Sequence, residues 1–447
     1  MEEDARLKKI APSKIVEQRL EEAVEKAQNA IDREVAESPE LRYALEIVER
    51  FLIRKKRVCY GGTAMNAQLP EALKFYDSAK DLPDYDFFTP ELETDVAELL
   101  ADLKRAGFDE VAQRIGMHEG TKKILVNYVA VADISEMDPA IYETLQIRSV
   151  VIKGIHYTDP DILRMMMYLE LSRPKGEVSR WTKVYERLNL MNKAFPMERC
   201  EKEQRKPLQI PIALREVLHK FCIDNKRILA GARLEKLYAK ALRGNKPVTW
   251  ETREGGAVVF YSPNPKEDAL LLRKKLGFRG FDIEYFKPKG DLIPTRLVIR
   301  LNKTPIALII QETACHAYNT LQTTDEEQVF IASLDTLITL YLSLAIFTDD
   351  EDKIFRFSLL CATERFITVN TLLQKAKKIN QFLPFPLECR GYQKGYPTLV
   401  REKVARIGEE RAAAKIQALL GRAKTLKRKT TARRVTRNTR ITRQFKE

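Results

Sequence analysis

Residues 58–70 read VCYGGTAMNAQLP, and residues 82–88 read LPDYDFF. An apolar run, Val58-Cys59-Tyr60, ends in Gly61-Gly62, and Thr63 opens a helix-like segment. On a strand, residues two apart face the same way, so Asp84 and Asp86 are expected to project together. Two like charges at that separation repel unless something positive lies between them. A divalent ion with a preference for oxygen ligands, most naturally Mg²⁺, meets that need. The glycines let backbone N–H groups approach a phosphate, and the helix N-terminus behind them favours negative charge. Metal-binding carboxylates beside a phosphate cradle point to nucleotidyl transfer.

Upstream of this stretch, the spacing predicts a charged helix from Ser13 to about Val35 (IVEQRLEEAVEKAQNAIDREV). Ser38-Pro39-Glu40 reads as a cap with Pro at the first helical position, leading into LRYALEIVERFLI. Both helices are expected to cover one side of a sheet. Downstream, an amphipathic helix runs from Glu91 to Ala106 and ends at Gly107. KILVNYVAVADIS then reads as one strand on which Asn127, Val129, Val131 and Asp133 share a face. Asp133 thus arrives at a strand end as a third carboxylate.

A GG[S/T] turn, a D-x-D, and a further Asp on a later strand together resemble the nucleotidyltransferase superfamily of DNA polymerase beta and the poly(A) polymerases. More narrowly, YGGTAMNAQLP with LPDYDFF, and MMMYLELSRPKGEVSRWTKVYERL further on, resemble the poly(A) polymerase catalytic subunits of large and giant DNA viruses, the asfarvirus-like group included. The resemblance spans roughly residues 40–345 and is strongest in the first 190. It implies an α+β fold with a polymerase beta-like catalytic domain, and a template-independent enzyme adding AMP from ATP to the 3′ end of viral mRNA. Asp84 and Asp86 would bind two Mg²⁺ (or Mn²⁺) ions, and Asp133 would share the ion that activates the primer 3′-hydroxyl. Gly61, Gly62 and Thr63 would position the triphosphate, and Asn66, one turn on, would touch nucleotide or primer. The Lys175/Arg180 turn or the helical face of Lys183 and Arg187 would hold the triphosphate charge. The same resemblance implies a homodimer and a location in the host cytoplasm, at the viral factory, with packaging in the virion as an addition. The rival readings are CCA addition, uridylyl transfer or oligoadenylate synthesis, and a non-catalytic RNA-binding or processivity subunit.

The remainder of the chain divides by composition. Its 447 residues are too many for one core and predict roughly two to four domains. Helices fill 1–55, the catalytic domain 56–195, and a Pro-punctuated linker 196–211. A second α/β unit spans 212–345, followed by a helical part, 346–410, and a basic tail, 411–447. In the second unit AGARLEKLY echoes YGGTAMNAQL, and FDIEYF echoes DYDFF, which suggests a degenerate nucleotidyltransferase-like copy. Asp282 and Glu284 alternate correctly, but Ala230-Gly231-Ala232 replaces the double glycine and no third acid follows. A structural or RNA-binding module is expected there. ECRGYQKGYPTLVREK sets Arg390, Tyr392, Lys394 and Tyr396 in a loop suited to stacking on single-stranded RNA.

The net charge is +14, yet thirteen Lys/Arg and one acid lie between Arg411 and Glu447, so this tail carries +12 and residues 1–410 only +2. The tail reads as a helix decaying into a phosphate-binding arm, with a faint likeness to an IQ-type calmodulin ligand. No run is long enough for a membrane helix, SLDTLITLYLSLAIF being short enough to be core. MEEDARLKK has no apolar centre, so no signal peptide is expected. Six scattered cysteines without a CxxC pair predict reduced thiols in an intracellular protein and no structural zinc.

Overall fold

The computed structural model describes residues 14–416, apart from 78–80, 199, 201–208, 245–246, 253–254, 278–279, 291, 349–352 and 377–380. Two helices lead in, α1 (Lys14–Glu37) and α2 (Pro39–Lys55). Ser38 caps α2 by accepting a hydrogen bond from the Leu41 N–H at 3.3 Å, with Pro39 behind it. Leu41, Ala44, Leu45, Val48 and Phe51 recur at three- and four-residue spacing and are all buried. Only the first part of the expectation for α1 holds: it is helical, but Val16, Leu20, Val24 and Ile31 stay exposed and cover nothing.

The first sheet contains β1 (Val58–Cys59), β2 (Tyr85–Thr89), β3 (Val111–Ile115), β4 (Thr121–Val126), β5 (Val129–Glu136), β6 (Val150–Ile152) and β7 (Ile155–Tyr157). Their order is β3-β4-β5-β2-β1-β7-β6. Strand β1 is antiparallel to β2 and parallel to β7, while β2 is parallel to β5. Helices α3 (Gly61–Gln68), α4 (Leu92–Arg105), α5 (Pro139–Arg148), α6 (Pro160–Leu171) and α7 (Trp181–Ala194) complete this half. The run KILVNYVAVADIS, expected as one strand, folds as two. Asn127 and Tyr128 both take positive φ (50° and 67°), the signature of a two-residue hairpin turn for which Asn is favoured. Asn127 therefore leaves the strand, and the turn sets Lys123 of β4 opposite Asp133 of β5.

The second half repeats this plan. Strands β8 (Ile228–Leu229), β9 (Val258–Ser262), β10 (Phe281–Phe286), β11 (Arg296–Leu301), β12 (Thr304–Gln311), β13 (His316–Gln322) and β14 (Gln328–Ala332) lie in the order β10-β11-β12-β9-β8-β14-β13, with β15 (Cys389–Arg390) added at the edge. Helices α8 (Ile212–Asp224), α9 (Leu234–Arg243), α10 (Pro265–Leu276), α11 (Leu334–Phe347) and α12 (Lys353–Gln374) surround it. Each pairing has its counterpart: β8 is antiparallel to β9 and parallel to β14, and β9 is parallel to β12. Even the hairpin turn returns, as Asn302-Lys303 with φ of 50° and 69°. Helices α6 and α11 occupy matching places in the element order and pack against each other.

This register corrects the expected echo. FDIEYF forms the edge strand β10, the counterpart of β3, so Asp282 and Glu284 do not correspond to DYD; Glu284 instead receives Arg300 at 2.7 Å. The counterpart of β2 is β9. Asp86 and Asp133 face each other across β2 and β5, and Val259 and Leu308 do so across β9 and β12. Asp84, one residue before β2, corresponds to Ala257. All three acid positions are apolar in the second sheet.

A last helix, 396–416, begins at Tyr396 and crosses the expected boundary at residue 411. It reaches back to the first sheet, where Arg406 Nη2 donates to the Met117 carbonyl at 2.9 Å and Lys122 Nζ to Glu410 Oε1 at 2.5 Å. The basic arm and the IQ-like run beyond residue 416 lie outside the described residues, as does most of the linker. The expectation of scattered thiols is corrected. Cys200–Cys361 and Cys315–Cys389 are joined as disulfides with Cα separations of 5.4 and 5.3 Å, and only Cys59 and Cys222 are free. Partners 161 and 74 residues apart carry no local pairing signal; the fold brings them together. No described helix is long and apolar enough to cross a membrane.

SLDTLITLYLSLAIF is core helix α11, as expected, and Asp335 in its first turn is fully buried. Its Oδ1 accepts from Asn370 Nδ2 at 3.0 Å, while Oδ2 has no partner among the described residues. Burial raises its pKa to about 7, the Asn370 hydrogen bond pulling it back only in part. The folded state therefore keeps a proton that the unfolded chain releases, so stability falls as pH rises from the ordinary carboxylate range through about 7. Asp335→Asn removes the ionisation, and between pH 5 and 7 its stability relative to the parent should improve by on the order of 2 kcal/mol in denaturant unfolding.

Candidate active site

The site is built at the inner ends of β1, β2 and β5. Parallel pairing sets Asp86 directly beside Asp133. Asp84 sits one residue before β2, and its backbone carbonyl accepts the Thr63 hydroxyl at 2.7 Å, which holds the approach to the strand. Carboxylate oxygens of Asp84, Asp86 and Asp133 all lie within 4.8 Å of one another, and each residue is partly buried. It is the one such cluster of His, Cys, Asp and Glu among the described residues.

Crowding and burial make the ionised triad costly. The Asp86 carboxyl is pushed up to about 7, first by burial and then by the charges of Asp84 and Asp133. Asp84 is raised by burial and by Asp133, with Lys123 opposing. Asp133 Oδ2 accepts from Lys123 Nζ at 2.5 Å, and its Oδ1 is buried with no hydrogen-bond partner among the described residues. A buried acceptor left without a donor, in a set of three hard carboxylate oxygens, fits a hard divalent cation such as Mg²⁺ or Mn²⁺. Asp84, Asp86 and Asp133 are the residues that would hold it.

Beside the triad, α3 starts at Gly61, whose φ of 72° is open to glycine at little cost. A Cβ there would lie 2.2 Å from Asp86 Oδ2. Gly61 therefore admits the Asp86 carboxylate, a role the sequence expectation did not give it. A Cβ on Gly62 would meet the Tyr76 hydroxyl at 2.3 Å and Arg187 Nη1 at 3.0 Å. The hydroxyl of Tyr76 receives Arg187 Nη2 at 3.1 Å, and the guanidinium stacks 4.5 Å from the Phe75 ring centre.

The expected ligands are sorted by this geometry. The Thr63 hydroxyl proton is committed to Asp84. The Asn66 Oδ1 accepts the backbone N–H groups of Phe75 and Tyr76 at 2.9 and 3.1 Å, so Asn66 anchors the segment that covers α3. Both departures have one cause: backbone groups of the segment that leads from α3 into β2 lie against the helix and take the polar atoms of Thr63 and Asn66. Of the cations, Lys183 and Arg187 lie one turn apart on α7. The Lys183 pKa is lowered by burial and by Arg187 and Arg180, with Asp84 pulling the other way, which puts it on the triad side. Arg180 lies 3.6 Å from Glu170 and 3.7 Å from Glu177, with a weaker pull on Asp86. Lys175 is exposed in the turn before α7. Arg187 is the cation set directly against Gly62.

Two site residues escaped the sequence, Lys123 and Tyr76. Reading Asn127-Tyr128 as a hairpin turn would have set Lys123 opposite Asp133. Tyr76 had no local signal, since its place depends on the Asn66 anchor.

Residues 46–177 match the family model of the poly(A) polymerase catalytic subunit. That span holds the glycine turn and all three acids. A putative poly(A) polymerase catalytic subunit of African swine fever virus (isolate Tick/Malawi/Lil 20-1/1983) is 32% identical over 180 residues, which covers 39% of this chain and 38% of the relative. The protein of the same description from Acanthamoeba polyphaga mimivirus is 28% identical over 194 residues, 42% of this chain and 33% of the relative. The aligned part thus spans under two fifths of the length of these curated relatives. Among solved structures, the Megavirus polyadenylate synthase superposes with a TM-score of 0.71 at 19% identity, over 91% of this chain and 84% of that one. The fold is therefore the nucleotidyltransferase type, in the two-sheet form of that viral synthase, as the sequence resemblance implied.

If Arg187 supplies the phosphate charge, Arg187→Ala should weaken binding of a nucleoside triphosphate by about tenfold or more in isothermal titration, the weight of one charge-assisted hydrogen bond. Lys175→Ala should leave it unchanged. Equal losses in the two variants would remove the assignment.

Proposed function

We propose that this chain is a template-independent RNA 3′-end polymerase that adds AMP from ATP, a polynucleotide adenylyltransferase. The observation that carries the reading is the triad of Asp84, Asp86 and Asp133 around the Gly61-Gly62 turn, inside the segment that matches the poly(A) polymerase catalytic subunit. Divalent ions held by the three carboxylates, two in this reading, would supply Lewis-acid charge to the primer hydroxyl and to the departing pyrophosphate.

The chain's own groups do the rest. Backbone amides at the start of α3 and the Arg187 guanidinium receive the triphosphate, with Lys183 adding charge from the same face of α7. The primer 3′-hydroxyl is directed to the Asp133 side of the triad, in line with the α-phosphate. Its oxygen gives up its proton to water and bonds to phosphorus as the bond to the oxygen bridging the α- and β-phosphates breaks, and pyrophosphate leaves toward Arg187. Positioning and charge carry the catalysis, since the transferred group needs little covalent help from protein.

The acceptor in this proposal is viral mRNA, the metal Mg²⁺ or Mn²⁺, and the setting the host cytoplasm at the viral factory, with packaging in the virion. The choice of ATP over the other nucleotides is supported by the match to the polyadenylating family. The second sheet, whose acid positions are Ala257, Val259 and Leu308, is assigned no chemistry and serves as scaffold and RNA-holding surface. A homodimer completes the assembly, and the exposed Val16, Leu20, Val24 and Ile31 on α1 offer an apolar surface for the second copy. Light scattering should then give twice the monomer mass, and a mass of one chain at micromolar concentration would dismiss the dimer.

Primer extension with each of the four nucleotides, with and without an RNA primer, should show Mg²⁺-dependent tails with ATP and primer only. Asp84→Ala/Asp86→Ala should abolish tailing and leave the circular dichroism spectrum intact. Undiminished tailing by that variant would sink the assignment, and a preference for CTP, UTP or primer-free synthesis would transfer it to a different acceptor chemistry.

A further inference from the structure

Three carboxylates within 4.8 Å would repel strongly in a chain that holds no ion, and the fold sets a positive group in hydrogen-bond contact with one of them. Lys123 stands on β4 in register with Asp133 on β5, and its Nζ donates to Asp133 Oδ2 at 2.5 Å. Side chains directly opposite on antiparallel strands start about 5 Å apart, so a lysine there reaches the carboxylate while its long stem leaves room to swing away.

The second sheet provides an internal comparison. Where Asp133 becomes Leu308, the residue opposite it in register is Val298, which stands in the place of Lys123. The lysine is absent where the acids are absent. A lysine kept only to pack β4 against β5 has no reason to follow the charge of its neighbours.

We propose that Lys123 is a tethered counter-cation: it balances the Asp84–Asp86–Asp133 triad in the ion-free enzyme and competes with the divalent ion for Asp133. Lys123 is thus a positioning residue that weakens the metal affinity of the resting site and keeps that site folded without metal. This inference rests on the reading of the triad as a metal site.

The test is Mn²⁺ binding to the full chain without nucleotide, followed by electron paramagnetic resonance, together with melting in EDTA. Lys123→Met and Lys123→Gln should each bind Mn²⁺ about tenfold tighter than the parent, because a like charge a few Å from the ion is gone. Both should melt lower in EDTA and gain more from added Mn²⁺ than the parent does. Lys123→Arg, which keeps the charge, should bind as the parent binds. Glutamine retains a donor for Asp133 without the charge, so parent-like affinity in Lys123→Gln, or unchanged or weaker affinity in Lys123→Met, would overturn the inference. A parent that binds Mn²⁺ no better than Asp84→Asn/Asp86→Asn would overturn the metal reading itself, and the counter-cation with it.

Discussion

A buried ion pair at the mouth of each sheet fixes everything that follows it. Arg57, the residue before β1, donates from Nε to Asp95 Oδ2 at 2.6 Å and from Nη2 to Oδ1 at 3.1 Å, and Asp95 is fully buried. The Thr89 hydroxyl adds a bond to Asp95 at 2.5 Å and accepts the Glu91 N–H. The clamp ties the start of β1 to the first turn of the helix after β2, which leaves the two strands antiparallel with Val58 opposite Phe88. From that register the Tyr60 N–H reaches the Asp86 carbonyl at 2.9 Å, and Gly61 comes to lie against the Asp86 carboxylate. The second sheet repeats the device: Arg227, just before β8, grips Asp268 at 2.7 and 2.8 Å, and Ser262 accepts the Asn264 N–H as Thr89 accepts that of Glu91. Breaking such a pair leaves a charge buried without a partner, a cost of roughly 3–5 kcal/mol. The pair is present also in the half whose three triad positions are apolar. Its work is architectural.

Much of the first half was legible because its signals are local. Ser38-Pro39 starts α2, Gly61-Gly62 turns the chain, and two-residue alternation brings Asp84 and Asp86 to one side. KILVNYVAVADIS reads as one strand because a largely apolar run hides a hairpin. Asn127-Tyr128 lacks the glycine that usually announces one, and only their positive φ angles reveal it. The same kind of turn at Asn302-Lys303 splits TRLVIRLNKTPIALIIQ into two strands, which makes FDIEYF the counterpart of β3 and not of β2. Register between distant strands cannot be read from spacing, and one misplaced hairpin moves every partner.

At the site, the acids were readable and their neighbours were not. Asp84, Asp86 and Asp133 are few enough, and near enough to glycines, to stand out. Thr63 and Asn66 looked like ligands because short polar residues at a helix start so often are. In this chain one binds the Asp84 carbonyl and the other holds Phe75 and Tyr76. Those bonds shape the cleft from behind. Arg187 shows the reverse case: it comes to lie against Gly62 and Tyr76 only in the folded chain, a contact made across more than a hundred residues.

The two halves also show what the chemistry costs the fold. In the second sheet, Ala257, Val259, Leu308 and Val298 pack where the first has three acids and a lysine, and Val259, one of the acid positions, needs no counter-charge. Apolar groups of similar size are commonly at least as stable as buried charges in such places. The first sheet keeps its charged cluster at the expense of stability, which is the pattern expected where a site is held for function. Helices α6 and α11 pack against each other, so the two halves are joined through them. The half with apolar residues at these positions bears no such cost, and the half with the acids is packed against it through α6 and α11.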